Sequence, residues 1–345
     1  MTVKTGKTLM EVRNLKMHFP ITKGFFKRTI GHVKAVDDVS FDIIEGETLG
    51  VVGESGCGKT TTGRCLMRIL QPTSGEILYR REDGEVVDLT SLSSRDLKPY
   101  RRDIRMIFQD PQSSLNPRMP VVELVGEAMR LNGIAEGKEL EDRVAELLKK
   151  VGLRPEYMRR FPHAFSGGER QRIGIARALS LNPRLVVADE AVSALDVSVQ
   201  AQTLNLMQDL QDEFKLTYVF VAHDLSVVEH IADRIAVMYV GKLVEICSTE
   251  ALFDRPMHPY TAALLSAVPK PDPRLRGKGS RTRLTGEVAD PSNPPPGCPF
   301  HPRCSFATDL CKTDVPPLRR VEDGHMAACH YAGDLPIKGV AALAG

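Results

Sequence analysis

The chain has 345 residues, 42% of them hydrophobic, which is enough for two or three packed domains. Its 46 basic and 44 acidic side chains leave a net charge of only +2, so nucleic acid is not the expected partner. No apolar run approaches the roughly 18 residues that cross a bilayer, and no signal-peptide core is present. We therefore expect the chain itself to be soluble and cytosolic.

The first region of the chain, about residues 9–90, has a strand-like pattern of apolar residues. Residues 48–52 form an apolar strand candidate, which a glycine-rich turn and a helix over residues 59–70 follow. This order of strand, turn and helix is typical of an α/β domain.

The second region, about residues 91–182, has a helical pattern. The longest helix candidates cover residues 121–131 and 140–151, and Pro120 and Gly152 bound them. We predict a helical insertion here.

Short apolar runs return in the third region, and their alternation with a helix predicts parallel βαβ units. The runs cover residues 185–188, 218–222 and 235–240, with a helix over 201–214 between the first two. Beyond about residue 269 the chain is rich in proline, glycine and arginine, which indicates a linker and a small appendix.

A glycine-rich motif follows the strand at residues 48–52 and opens a helix, which is the context that a phosphate-binding loop requires. It fits the Walker A pattern and consists of Gly53, Glu54, Ser55, Gly56, Cys57, Gly58, Lys59 and Thr60, with Thr61 next to it. Its backbone N–H groups and the helix N-terminus suit a phosphate. Lys59 would bridge the β- and γ-phosphates, and Thr60 would bind Mg²⁺. An ordinary glycine-rich turn is the alternative.

Two carboxylates, Asp189 and Glu190, end the apolar run at residues 185–188. The carboxyl end of a parallel strand is where such sheets bind ligands. Asp189 would hold Mg²⁺, and Glu190 would act as the general base that polarises the attacking water, an effect worth about 10²–10⁴ in rate. Taken alone, the pair could be an acidic strand cap, but the phosphate-binding motif makes that alternative weak.

Ser166 and Glu169 have the spacing of a capping box at the start of a helix. Gly167 and Gly168 lie between them, and glycine weakens a helix by about 1 kcal/mol relative to alanine. Capping alone therefore does not account for the pair. A backbone that must touch a phosphate would account for the two glycines.

The stretch from Ser166 to Glu169 resembles the signature of ATP-binding cassette (ABC) ATPases, with glutamate where glutamine is usual. The other elements of that family occur in order. Gln109 is similar to the Q-loop glutamine, Asp196 to the D-loop aspartate and His223 to the switch histidine. Phe19 resembles the adenine-stacking aromatic residue, although a core phenylalanine is an equal alternative.

The resemblance implies an α/β P-loop NTPase of the ABC-ATPase fold, with a RecA-like core, an antiparallel β subdomain and a helical subdomain. The domain would cover residues 9–268, its helical subdomain about 91–182, and a C-terminal extension 269–345. Two cassettes would meet head to tail around ATP. The resemblance makes Glu190, His223, Gln109 and Lys59 the catalytic residues and Thr60, Gln109 and Asp189 the Mg²⁺ ligands.

The segments at residues 258–261 and 294–298 resemble the ATPase subunits of dipeptide and oligopeptide importers, and more closely the F subunit of the pair than the D subunit. Implied partners are a diverged second ATPase subunit, two transmembrane permease subunits and, indirectly, an extracytoplasmic binding protein, with no nucleic acid. The implied location is the cytoplasmic face of the inner membrane. Relatives handle dipeptides, oligopeptides, nickel chelates or glutathione. A soluble ABC ATPase acting on nucleic acid or ribosomes is the alternative.

Four of the seven cysteines, Cys298, Cys304, Cys311 and Cys329, cluster in the extension with the spacing C-x5-C-x6-C-x17-C. This spacing lacks the paired C-x2-C knuckles of common zinc ribbons. Four thiolates can hold a [4Fe-4S] cluster, which some members of the importer subfamily carry. Zinc or free thiols are the alternatives, and any metal here is expected to be structural.

Overall fold

The computed structural model describes residues 6–268, 286–337 and 339. Its strands are β1 (Thr8–Lys23), β2 (Arg28–Ile44), β3 (Thr48–Val52), β4 (Ser74–Arg80), β5 (Val86–Asp88), β6 (Ile104–Ile107), β7 (Leu185–Asp189), β8 (Thr217–Val221), β9 (Arg234–Tyr239), β10 (Lys242–Ser248), β11 (Arg319–Glu322) and β12 (His325–Ala327). Its helices are α1 (Lys59–Leu66), α2 (Tyr100–Asp103), α3 (Pro111–Ser114), α4 (Val121–Leu131), α5 (Gly137–Lys150), α6 (Gly167–Leu179), α7 (Val197–Phe214), α8 (Leu225–Ile231), α9 (Thr249–Asp254), α10 (Pro259–Ser266) and α11 (Asp309–Thr313).

The chain divides into two compact units. The first combines the residues up to Ser91 with those from Ala222 onward, and the second is Leu92–Val221. Within the described ranges, no helix has both the length and the apolar character needed to cross a membrane.

The first unit contains an antiparallel sheet in the order β2-β1-β4-β5. Its β1–β2 hairpin is long, and residues 21–32 form its far end. β4 pairs with β1 only between Met10 and Lys16, so the far end of the hairpin is a two-stranded ribbon. The strand-like pattern predicted for residues 9–90 is thus confirmed.

The other strands of the first unit follow the order β11-β12-β10-β9-β3. β3 and β9 are parallel, and every residue of β3 is buried, as in a sheet that is covered on both faces. The C-terminal segment was expected as an appendix, but β12 pairs with β10 and so extends this sheet. Residues 269–285, where the predicted linker and appendix begin, lie outside the described residues.

The second unit contains three parallel strands in the order β8-β7-β6, together with the helices α2 to α7. α4 has the predicted bounds, whereas α5 begins three residues before the predicted start. The region predicted as a helical insertion also contains a strand that the sequence pattern did not predict, β6 at Ile104–Ile107. A four-residue apolar run is too short for its periodicity to distinguish a strand from a helix.

Candidate functional site

The glycine-rich motif forms a loop between β3 and α1. Gly58 precedes α1 with a φ of 106°, and a Cβ on it would lie 2.1 Å from the carbonyl oxygen of Ala35. Only glycine fits both the backbone conformation and the close approach. Lys59 is 5% exposed, and its Nζ donates hydrogen bonds to the carbonyl oxygens of Gly53 (2.7 Å) and Glu54 (3.0 Å). The ammonium group is therefore folded over the loop.

The N-terminus of α1 has the properties of an anion site. It has no side-chain cap and no acidic residue in its first turn, so the helix itself places no anion at its positive end. Ser55 and Gly56 are exposed on the loop, and Thr60 and Thr61 are half-buried in the first helical turn. These residues fit a phosphate chain with a cation at the hydroxyl of Thr60.

Phe19 and His223 also belong to the first unit. Phe19 is half-buried on β1 and pairs with Val33 on β2. Val33 lies two residues before Ala35, whose carbonyl oxygen closely approaches Gly58. His223 is exposed two residues after the end of β8. Their assignments as adenine-stacking and catalytic residues stay predictions.

In the second unit the structure brings together two of the predicted catalytic residues. Gln109 Nε2 donates a 2.7 Å hydrogen bond to Glu190 Oε2, across 81 positions of sequence. Glu190 has a φ of 45°, a left-handed conformation that is uncommon outside glycine. Its backbone N–H donates to the Val221 carbonyl (2.9 Å), and its carbonyl accepts from Ser193 Oγ (2.9 Å). The neighbouring Asp189 is buried at the end of β7.

The signature residues form a capping box, as predicted. Ser166 Oγ accepts a hydrogen bond from the Glu169 backbone, and Glu169 Oε2 accepts from the backbone N–H (2.9 Å) and the hydroxyl (2.8 Å) of Ser166. These bonds hold the pKa of Glu169 below its usual value. The hydroxyl of Ser166 stays on the surface, and Gly167 is exposed beside it.

Asp196 lies in the same open groove as the signature residues, which also includes Arg154 and Arg172. Its Oδ1 caps α7 by accepting from the Val199 backbone (3.0 Å), and this bond lowers the pKa of the Asp196 carboxyl. Two motifs 30 residues apart thus form one exposed surface. The groove is open to an anion or to a second protein.

The four clustered cysteines line one cavity, together with Phe300, Phe306 and other side chains. All four thiols are free. Burial raises the pKa of Cys298 and of Cys329 to about 11 and also raises that of Cys304. Thiolates in this cavity therefore need a cation, which the described side chains lining it do not supply.

The spacing of the four sulfurs bears on which cation fits. Among the described residues, the one group of three His, Cys, Asp or Glu ligand atoms within 4.8 Å of one another is Glu245, Cys247 and His325. A single tetrahedral zinc would bring thiolates to about 3.8 Å of one another. Among the described residues, no three of the four cysteine sulfurs lie within 4.8 Å of one another, so they do not form a preformed site for one zinc ion.

The sequence analysis did not predict two buried contacts between polar residues. Glu245 accepts hydrogen bonds from the backbone N–H groups of Met257 (2.7 Å) and His258 (3.0 Å) and contacts His325 Nε2 at 2.7 Å. With its oxygens so engaged, Glu245 is a structural group. Arg303 forms an ion pair with Glu54. A single sequence contains no pattern that relates residues this far apart.

Comparisons with known proteins agree with this geometry. Residues 36–193 match the family model "ABC transporter", and residues 244–311 match "Oligopeptide/dipeptide transporter, C-terminal region". The oligopeptide transport ATP-binding protein AppF of Bacillus subtilis (strain 168) is 51% identical over 96% of this chain and 99% of that protein. The dipeptide transport ATP-binding protein DppF of Haemophilus influenzae is 50% identical over 95% of this chain and 98% of that protein.

The fold is similar to that of solved ATP-binding cassettes. The dimeric cassette MJ0796, solved in a post-hydrolysis state with ADP and Pi, aligns with a TM-score of 0.60 and 28% identity over 70% of this chain and 98% of that one. The expected fold class, with its antiparallel and parallel sheets, is thus confirmed.

Proposed function

Because the chain belongs to the ABC transporter family, among the oligopeptide and dipeptide transport ATP-binding proteins, we propose that it hydrolyses ATP to power peptide import. It acts as half of a head-to-tail pair of cassettes. The observation that carries the proposal is the uncapped, glycine-lined start of α1 with the buried Lys59 folded over it. The alternative of a soluble ATPase on nucleic acid or ribosomes is disfavoured, because these relatives are named for transport.

ATP supplies the phosphoanhydride bond that is cleaved, and Mg²⁺ shields its charge. The loop from Gly53 to Gly58 holds the phosphates, and Lys59 moves from the loop carbonyls onto the β- and γ-phosphates. Thr60, Asp189 and Gln109 are the proposed Mg²⁺ ligands. Each cassette also presents its Ser166 to Gly168 turn, the neighbouring Glu169 and Asp196 to the nucleotide on its partner.

Glu190 takes the role of general base, since it follows a buried strand directly and points its carboxylate at Gln109. It orients the attacking water and accepts its proton. The hydrogen bond from Gln109 fixes the carboxylate before water arrives. His223 stabilises the charge that develops on the γ-phosphate, and Phe19 stacks on the adenine.

The partners follow from the family. We place the chain at the cytoplasmic face of the inner membrane, bound to two permease subunits and paired with a diverged second ATPase subunit. An extracytoplasmic binding protein delivers the cargo. The ATPase domain covers residues 9–268, with the helical subdomain at about 91–182 and the extension at 269–345.

The four cysteines are proposed to hold a [4Fe-4S] cluster of structural role. Support comes from the cavity that the four cysteines share and from the raised pKa values of Cys298 and Cys329. Anaerobically purified protein should contain about four irons per chain and absorb visible light, and Cys304→Ser should lose both. Zinc in place of iron, or a colourless metal-free protein, would exclude the cluster.

The central test is nucleotide binding by the purified chain, followed by its association with membrane proteins. Lys59→Ala should lose most of its ATP affinity, whereas Lys138→Ala, an exposed lysine on α5, should bind ATP like the wild type. From detergent-solubilised membranes the chain should co-purify with permease subunits. Retention on ribosomes or DNA instead would favour the alternative function.

A further inference from the structure

The Arg303–Glu54 pair joins the cysteine-rich segment to the phosphate loop. Arg303 Nη1 and Nη2 donate to the two carboxylate oxygens of Glu54 at 2.6 and 3.0 Å. The Arg303 side chain is 5% exposed, and Glu54 is the second residue of the loop. A bidentate contact of this kind fixes the orientation of the carboxylate as well as its distance from the guanidinium group.

Neighbouring aromatic residues hold the same part of the loop. The hydroxyl of Tyr260 accepts a 2.8 Å hydrogen bond from the backbone N–H of Glu54. The Tyr260 ring packs against Phe300 (centroids 5.4 Å apart), and Phe300 packs against Tyr239 (5.3 Å). The backbone and the side chain of Glu54 are thus both fixed by residues far along the chain.

Arg303 itself depends on the cysteine site for its position. It ends a short 3₁₀ turn, His301–Arg303, that lies between Cys298 and Cys304. The carbonyl of Cys298 accepts from the His301 backbone (3.0 Å), and Cys304 donates to the His301 carbonyl (3.3 Å). A change at either cysteine therefore reaches the guanidinium group through one turn of backbone.

We propose that Arg303 is a positioning residue that makes the affinity of the phosphate loop for nucleotide depend on the folded four-cysteine segment. Without Arg303, the Glu54 carboxylate stands unneutralised beside the site where a triphosphate binds, and it repels the ligand. The inference rests on the proposed ATP binding, and it identifies a control point that the ATP-binding motifs do not contain.

The first test is a double-mutant cycle read by fluorescent-nucleotide titration. Arg303→Met should weaken nucleotide affinity roughly tenfold, within the usual range of coupling between sites, and should raise KM with little change in kcat. Adding Glu54→Gln should restore most of the affinity, because it removes the unpaired charge. Arg320→Met, at an exposed arginine on β11, is the matched control and should bind like the wild type.

The second test links the pair to the cysteines. Cys304→Ser should weaken nucleotide affinity like Arg303→Met, and combining the two should add little, because both act through one contact. Unchanged affinity in Arg303→Met, failure of Glu54→Gln to restore it, or additive losses with Cys304→Ser would overturn the inference. Failure of the wild type to bind nucleotide would instead refute the proposed function.

A separate observation concerns the tip of the β1–β2 hairpin. Phe25 and Phe26 are 96% and 91% exposed and contact each other edge to face. Three exposed cations, Lys23, Lys27 and Arg28, flank them. The sequence has no acidic residue between Glu11 and Asp37.

The geometry points to an anionic lipid surface as the ligand of this tip. Aromatic rings are stable at the headgroup level of a bilayer, and adjacent lysine and arginine side chains are attracted to anionic headgroups. The tip is a two-stranded ribbon without a third strand among the described ones, so it can reach a flat surface. An acidic protein groove would not require two adjacent exposed phenylalanines.

The absence of tryptophan from the sequence provides a clean probe. Phe26→Trp in the full chain should show a blue-shifted emission with phosphatidylglycerol vesicles but not with phosphatidylcholine vesicles. Replacing the three cations by glutamine should reduce vesicle binding by roughly fivefold per charge at low salt. Leu131→Trp, at a position that is 70% exposed on α4, should show no shift.

Three results would overturn the lipid proposal. They are no shift with either vesicle, an equal shift with both, or a shift that appears only when permease subunits are added. The last would mean that a protein covers the tip.

Discussion

The phosphate loop and the signature turn are both rich in glycine, but different surroundings require it. At Gly58 a Cβ would lie 2.1 Å from a backbone oxygen, and the φ is 106°. At Gly167 a Cβ would meet nothing within 4 Å among the described atoms, and φ is not in the left-handed range. At Gly168 it would lie 2.6 Å from Cγ1 of Val199, a stiff β-branched side chain.

The difference separates two causes of a sequence motif. The fold of this chain is sufficient to explain the glycine at position 58, because any other residue would clash there. Nothing in the described residues of the chain explains Gly167. The proposed head-to-tail pairing would account for it, because the exposed turn would then meet a nucleotide held by a second cassette.

The largest expected effect is on ATP hydrolysis, for which both the phosphate loop and the signature turn are proposed to be needed. Glu190→Gln should reduce ATP turnover by about 10²–10⁴ while ATP still binds, because the amide cannot accept a proton. Phosphate release and nucleotide titration would measure the two effects, and gel filtration with ATP should show a trapped dimer. Normal hydrolysis by this variant would refute the assignment of the base.

A second prediction concerns the internal constraint on the phosphate loop. Gly58→Ala should lower the free energy of unfolding by about 2–4 kcal/mol, as the sum of backbone strain and the clash with Ala35. Gly56→Ala is the control, since its φ is 78° but its Cβ would be in open space, and it should lose about 1–2 kcal/mol. Equal losses in urea denaturation would mean that the clash is relieved easily.

The residues that support the loop should also make the fold sensitive to acid. Burial lowers the pKa of His258 from 6.5 to about 4, and its Nδ1 accepts a hydrogen bond from the Tyr260 backbone. The unfolded chain takes up a proton near pH 6.5, whereas the folded chain does so only near pH 4. Stability from this group is therefore complete above pH 6.5 and falls, by up to about 3 kcal/mol, as the pH drops to 4.

The measurement is chemical denaturation at pH 7 and pH 5, where the loss should be about 2 kcal/mol. Because carboxylates elsewhere in the chain also contribute to acid sensitivity, a variant must isolate the histidine. His258→Asn keeps a capping side chain without the titration. A wild-type loss no greater than that of His258→Asn would exclude the histidine as its source.

The smallest expected effect tests most directly why the signature turn contains glycine. Gly167→Ala and Gly174→Ala both place a methyl group in open space on α6, and each should stabilise the chain by up to about 1 kcal/mol. Only Gly167→Ala should also lower ATP turnover, because only that turn meets the partner. Full turnover in Gly167→Ala would mean that no other molecule requires this glycine.

How much the sequence predicted depended on the distance between the interacting residues. Contiguous motifs, such as the phosphate loop after β3 and the capping box at Ser166, have local patterns and were predicted in place. Glu190 was assigned from its place at the end of a strand and Gln109 through a family resemblance, and only the structure shows the hydrogen bond between them. β6 was missed because four residues contain too little periodicity.

The contacts that no sequence pattern predicted are those between distant polar residues. Glu54 and Arg303 are 249 positions apart, and each alone is typical of a solvated surface residue. Glu245 lies between apolar residues in the middle of β10, and nothing local indicates that His325 will cover it. Such pairs depend on the tertiary fold, which a single chain's composition and spacing do not specify.

The pairing of β12 with β10 has a consequence for shortened forms of the protein. Glu245 pairs opposite Ala327, and the Ala328 N–H donates to the Val244 carbonyl at 2.8 Å. A chain cut before the β11–β12 hairpin would expose a row of unpaired amides and carbonyls along β10. It would also leave the buried carboxylate of Glu245 without the imidazole of His325. Such a truncation would tend to self-associate edge to edge, so the cassette cannot be trimmed to its nucleotide-binding motifs without losing solubility.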